Sequence, residues 1–137
     1  MRKLSLFAAL TMTMLVIGCA SLQTTAEKAV VSMTDAVEYA RQTYIAFCND
    51  HPGTVTEADF AKVKEFYVQY QAVVAVSESV ILAARKNPDD DAVRKAAQAV
   101  ASAGSDLIAL VQLYLPPGES VKVKAKAAQI KPVPEAP

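Results

Sequence analysis

Residues 87–118 read NPDDDAVRKAAQAVASAGSDLIALVQLYLPPG and contain the most regular helical pattern in the chain. Apolar residues recur there at alternating spacings of three and four, which places them on one stripe of an α-helix. The stripe comprises Val93, Ala96, Val100, Ala103, Leu107, Leu110 and Tyr114. Asn87 can cap the helix, Pro88 suits its first position, and the following aspartates favour the positive end of the helix dipole. Because Pro116-Pro117-Gly118 stops the pattern, we predict a helix over 88–115.

The stretch before it predicts a second helix over 56–86. Thr56 is a good N-cap, and the acidic residues in the next turn suit the start of a helix. Its apolar stripe comprises Phe60, Val63, Tyr67, Tyr70, Val74, Ser77, Ile81 and Ala84. Glu78, flanked by two serines, argues against entry of this helix into a membrane.

A first helix is predicted over 24–48 by a similar stripe, which ends at the breaker-rich segment 49–53. This stripe comprises Val30, Met33, Val37, Ala40, Tyr44 and Phe47. Short connections force neighbouring helices to run antiparallel. The expected fold is therefore all-α, an up-down-up antiparallel three-helix bundle within residues 24–115.

Helices two and three also carry apolar residues outside their main stripes. These are Phe66, Val73, Val76, Val80, Ile108 and Val111. Either the bundle is closely packed or part of this surface meets a partner chain, such as a second copy, and the sequence leaves both open.

Residues 1–18 have the organisation of a secretory signal peptide. Arg2 and Lys3 provide the positive start, and 4–17 is an apolar run that is too short to span a bilayer. The run ends in Val16-Ile17-Gly18-Cys19, where a small-residue cleavage site would otherwise be expected.

This tetrapeptide resembles the lipobox of bacterial lipoproteins. The resemblance implies cleavage between Gly18 and Cys19, a diacylglyceryl group on the Cys19 sulfur and an N-acyl group on the new amino terminus. Ala20 follows the cysteine, as in lipoproteins sent to the outer membrane of Gram-negative bacteria. The mature chain would then have a lipidated tether at 19–23 and face the periplasm, with no cofactor beyond the covalent lipid.

The last segment, 116–137, is rich in Lys and Pro, and we expect it to be flexible. Because the bundle has an odd number of helices, this segment would start at the end furthest from the lipid, beside the loop that contains His51. Its lysines could meet peptidoglycan carboxylates or an acidic envelope protein, although keeping a disordered end soluble explains them more simply. The four lysines are Lys122, Lys124, Lys126 and Lys131.

Residue content argues against catalysis and against a metal site. His51 is the only histidine and lies in a turn-forming segment, so no base is placed against a nucleophile. Cys48 is the only cysteine besides Cys19, so a zinc site lacks ligands, and lipidation of Cys19 would exclude an intrachain disulfide. Residues 19–115 carry 12 acidic and 8 basic residues, which argues against nucleic-acid binding.

These observations predict a non-enzymatic envelope lipoprotein whose helical domain has a structural or protein-binding role. Two alternatives remain open. One is a small-molecule or lipid carrier with a cavity between helices, lined by Val and Tyr. The other is a phage or prophage accessory lipoprotein involved in lysis or exclusion.

Overall fold

A computed structural model of the chain describes the backbone of residues 2–134 and the side chains of residues 22–134. Four helices account for most of it: α1 (Arg2–Asp50), α2 (Glu57–Ala83), α3 (Asp90–Gln112) and α4 (Pro117–Ala127). Within the described backbone there is no strand. The expected all-helical class is confirmed, and the fourth helix was not expected.

The start of α2 follows the sequence closely. The Thr56 side chain accepts a hydrogen bond from the backbone N–H of Asp59 at 3.1 Å, and Thr56 itself has extended backbone. This bond satisfies one of the N–H groups that a helix start leaves without a partner. The predicted cap at Thr56 is therefore confirmed.

The start of α3 differs from the prediction by two residues. Asp89, rather than Asn87, is the N-cap, and its carboxylate accepts from the backbone N–H of Ala92 at 3.0 Å. Asp90 and Asp91 then occupy the first turn. The first of three consecutive aspartates can cap as well as asparagine can, and the other two still favour the helix dipole, so the helix starts after Pro88.

The third helix lies at the centre of the core and packs against both α1 and α2. Its buried residues include Val93, Val100, Leu107 and Val111, each at most 2% exposed. Halfway along it, Gly104 lies against the side chains of Met33 in α1 and Tyr70 in α2. A glycine at this point lets α3 approach both neighbours without a side chain between them.

Helices α1 and α2 contact each other through side chains that pair in opposite order along the chain. Near one end, the Gln23 amide donates to the backbone carbonyl of Ala84 at 2.6 Å. Further along, the Tyr67 hydroxyl donates to the Glu38 carboxylate at 3.2 Å. The described part of α1 and helix α2 therefore run antiparallel.

The expectation of a wholly flexible tail over 116–137 is wrong, because residues Pro117–Ala127 form α4. Val123 is 1% exposed, and Ala127 and Ile130 pack against the same core. These three residues recur at spacings of four and three, so they form a helical stripe inside what reads locally as a Val-Lys alternation. Pro117 at the first helical position and lysines in the last turn also suit a helix.

Substituting Gly104 by alanine is expected to lower the free energy of unfolding by about 1–3 kcal/mol, as overpacking of a core does. A Cβ atom there would lie 2.6 Å from Cγ of Met33 and 3.2 Å from Cε2 of Tyr70. This strain opposes the gain of up to about 1 kcal/mol that alanine gives over glycine in a helix. Chemical denaturation followed by circular dichroism measures the difference.

Gly118→Ala is the matched control, because nothing lies within 4 Å of a Cβ built at that position. It should leave stability unchanged or raise it slightly. A Gly104→Ala protein as stable as the wild type would contradict the close packing of the three helices.

Candidate functional site

The predicted lipidation and cleavage site lies outside the residues whose side chains are described. Gly18 and Cys19 fall within the backbone range of α1, and nothing is described of their side chains. Lipid attachment at Cys19 and cleavage after Gly18 therefore stay predictions. The first side chains described after them are those of Leu22, which is buried, and Gln23.

The four lysines of the C-terminal segment do not form one cluster. Lys122 and Lys126 are four residues apart and share a face of α4, whereas Lys124 lies between them in sequence and on another face. Lys122 forms an ion pair with Glu119 at 2.7 Å, and Lys131 lies beyond the end of the helix. Their predicted role in binding a partner stays a prediction.

The C-terminal segment ends at the opposite end of the fold from the one where it begins. The Arg94 guanidinium donates to the backbone carbonyl of Pro134 at 3.3 Å, close to the start of α3. The end of α2 leads into this part of α3 and contacts Gln23. The segment therefore begins beside His51, as expected, and then runs back toward the first described residues of α1, which the prediction did not include. Its distance from the proposed lipid stays a prediction.

The segment around His51 forms the turn that its sequence predicts. The imidazole stacks on the ring of Phe47 with centroids 4.7 Å apart, and Gly53 has φ +86°, a conformation that favours glycine.

Burial, and then the nearby Cys48 thiol, raise the pKa of Tyr44. Among residues 22–134, no group of three or more His, Cys, Asp or Glu side chains could hold a metal ion.

A groove lies between α1 and α2, on the side away from α3. Both helices pack closely on α3 but approach each other at few points along the described chain. Three successive depressions of about 260, 290 and 430 Å³ lie along this seam and share lining residues. We call this feature the α1–α2 groove; it extends from Glu27 and Arg85 at one end to Ile45 and Phe60 at the other.

A polar network crosses the wider half of the groove. The Arg41 guanidinium donates to both oxygens of Glu38, at 3.0 and 2.8 Å, and its central carbon lies 4.9 Å from the ring centroid of Tyr67. The Glu38 carboxylate also accepts from Tyr67 and from Gln42. The Arg41 hydrogen bonds chiefly, with help from those two donors and against partial burial, lower the pKa of Glu38 from 4.5 to about 2.

The narrower half of the groove is bridged by fewer contacts. The Thr34 and Tyr70 hydroxyls lie 3.1 Å apart, within hydrogen-bond distance. At the end of the groove, Arg85 donates to Glu27 at 2.6 Å, with both side chains more than a third exposed. Such an exposed ion pair contributes only about 0–1 kcal/mol, so it does not hold the two helices firmly together.

Apolar side chains along the groove are exposed to solvent. Val31 on α1 is 58% exposed, and Phe60, Val68 and Leu82 on α2 are 45%, 56% and 54% exposed. Among the described residues, α2 is the one helix long and apolar enough to cross a bilayer by length and composition. Leu113 and Val121 are exposed elsewhere, but Val31, Phe60, Val68 and Leu82 together line the groove.

The apolar residues outside the main stripes divide between the core and the surface. Ile108 and Val111 are buried, whereas Val76 is 65% exposed. Phe66, Val73 and Val80 are half-buried. Helix α3 thus buries two of its faces, whereas α2 buries one. The apolar pattern alone could not show which of these extra residues would be buried.

The groove was not foreseen from the sequence, although one signal for it is present. Helix α2 has most of its charged residues in 57–65, and the rest of it, 66–83, is largely apolar with Glu78 as the one charged residue. That combination is typical of a helix that meets more neighbours than one core supplies.

Comparison with protein-family models, curated proteins and solved structures found no match to this chain.

The low pKa of Glu38 makes stability depend on pH in an acidic window. Because the folded pKa of about 2 lies below the ordinary 4.5, the ionised carboxylate stabilises the fold above pH 4.5. This stabilisation is lost as pH falls from 4.5 toward 2. With the side chain 35% exposed, solvent screening reduces the effect to about 1 kcal/mol.

An NMR titration of the Glu38 carboxyl carbon should give a midpoint near 2. In Arg41→Gln the midpoint should rise toward the ordinary value, because the strongest donors are removed. A wild-type midpoint near 4.5 would show that Arg41 and Glu38 are not paired in solution.

Proposed function

We propose that this chain is a bacterial envelope lipoprotein, held by lipid on Cys19 at the outer membrane of a Gram-negative bacterium. Its helical domain faces the periplasm and has a non-enzymatic role, which is structural or is to bind another envelope component. The observation that carries the proposal is Val16-Ile17-Gly18-Cys19 at the end of a charged start and an apolar run.

The proposed anchor is strong enough to fix the domain at a membrane. Each buried methylene of an acyl chain contributes about 0.8 kcal/mol, so a single chain binds marginally and two or three bind stably. A diacylglyceryl group with an N-acyl chain provides three. Because Leu22 is buried and Gln23 bonds Ala84, the proposed lipid at Cys19 would lie close to the folded domain.

In the proposed mature protein, α1 from Cys19 onward, α2 and α3 form an up-down-up antiparallel bundle, and α4 lies over α1 and α3. The antiparallel order of the α1–α2 contacts and the central position of α3 support this arrangement. The α1–α2 groove supports a binding role, because it combines exposed apolar residues with polar groups in fixed positions. The partners that we propose are an envelope protein or peptidoglycan for the domain as a whole, and a second copy of the chain for the groove.

Metabolic labelling with radioactive palmitate tests the anchor directly. The wild-type protein should incorporate the label, and Cys19→Ser should abolish incorporation and release the protein from the membrane fraction. Cys48→Ser is the matched control, since Cys48 is the only other cysteine, and it should be labelled like the wild type. Labelling that survives Cys19→Ser would overturn the proposal.

A further inference from the structure

Along the groove, the exposed face of α2 is complementary to the same face of a second α2 helix that runs antiparallel to it. Phe60 and Leu82 each lie eleven residues from Gln71, and Lys64 and Glu78 each lie seven residues from it. Seven and eleven residues are close to two and three helical turns, so these side chains share one face with Gln71. All five line the groove. Reversing the helix about Gln71 therefore exchanges apolar with apolar and lysine with glutamate.

From this pattern we infer that the α1–α2 groove binds α2 of a second copy of the chain, antiparallel, with the two Gln71 residues on the twofold axis. Each Lys64 then faces Glu78 of the other copy, and each Phe60 lies beside Leu82 of the other copy. One turn further out, Glu57 comes level with Arg85 by the same symmetry, and Arg85 already pairs with Glu27 of its own chain. Such an isologous interface uses the same surface patch twice, as twofold dimers do.

Helix α1 supplies a second, independent set of matched residues. The Thr34–Tyr70 contact places Gln71 beside Thr34, so the incoming helix runs parallel to α1 with its own Gln71 at that level. Seven residues on, Glu78 of the second copy comes level with Arg41. Seven residues back, Lys64 of the second copy comes level with Glu27. Opposite charges meet at both levels, where Arg41 also bonds Glu38 and Glu27 also bonds Arg85 within their own chain.

The apolar residues of the incoming helix match α1 in the same register. Val68 of the second copy comes level with Val31, which is 58% exposed in the single chain. Leu82 of the second copy comes level with Ile45, which is half-buried at the wide end of the groove. Burial of these apolar residues would provide the main driving force for dimerisation.

Other occupants fit this face less well. A parallel pairing of the two α2 helices would place Lys64 opposite Lys64 and Glu78 opposite Glu78, which is repulsive. A lipid surface would bury both charged residues without partners, at considerable cost. Among the described side chains, neither Lys64 nor Glu78 forms an ion pair within the single chain, so both can pair across the interface.

The inference does not depend on the proposed anchor, but the two together have a geometric consequence. An antiparallel pair places the two Leu22 residues at opposite ends of a dimer about as long as α2, roughly 40 Å. Two lipid anchors can then insert into one membrane when the long axis of the dimer lies along its surface.

Site-specific crosslinking in native membranes tests the dimer. The full chain is expressed with Cys48→Ser, and Gln71→Cys is added to it; a short bismaleimide then joins thiols that face each other across the twofold axis. We expect a crosslinked homodimer. Val76→Cys is the matched control, because Val76 is 65% exposed but lies away from the groove. It should give little crosslinked homodimer. The Cys48→Ser protein without a new cysteine shows whether Cys19 itself is crosslinked.

Charge reversal tests the register. Lys64→Glu or Glu78→Lys alone places like charges together twice in each dimer, and each should weaken the dimer about tenfold. The double variant restores the two pairs between the α2 helices but places like charges level with Arg41 and Glu27, so it should recover the crosslinked dimer only in part. Glu65→Lys, an exposed charge reversal away from the groove, should have no effect. Circular dichroism verifies that every variant is folded.

Three results would overturn the inference. The first is absence of a Gln71→Cys homodimer, and the second is a homodimer that charge reversal leaves unchanged. The third is crosslinking of Gln71→Cys to a different polypeptide in place of a second copy. The same holds if a cysteine introduced in the groove, Val68→Cys in the Cys48→Ser background, is modified only by a thiol reagent that partitions into lipid. That result would assign the groove to another protein or to the membrane.

Discussion

The close approach of three helices at Gly104 is the contact on which the rest of this fold depends. With no side chain at this position, α3 comes near enough for Met33 of α1 and Tyr70 of α2 to lie against its backbone. Each outer helix therefore buries its apolar stripe mainly on α3 and not on the other outer helix. A larger residue at this position would clash with the Met33 side chain and crowd the Tyr70 ring.

This central position of α3 determines which surfaces are covered and which stay open. Helix α4 packs on α1 and α3 and buries Val123 there. On the other side, α1 and α2 remain separated by a groove bridged by the Glu38–Arg41–Tyr67 network and the Glu27–Arg85 pair. Both walls of the groove are helices, and a third helix is a shape that fits between them.

The sequence predicts the helices of the core well because capping and periodicity are local properties. Thr56 caps where expected, and Val93 and Val100 are buried as their stripe requires. Helix α4 was missed because alternating Val and Lys conceal the 123–127–130 spacing, which becomes meaningful only when a core lies beneath it. The groove depends on how closely α1 approaches α2, which is set by tertiary packing at Gly104, and no local pattern in either helix encodes that distance.

An NMR measurement of proton contacts at Gly104 tests the central packing most directly. If α3 lies between the other two helices, the α-protons of Gly104 will show nuclear Overhauser effects to side-chain protons of Met33 and to the ring of Tyr70. Cross-peaks to both residues are the result we expect in the folded protein. Cross-peaks to neither, or to one alone, would contradict the arrangement from which the groove follows.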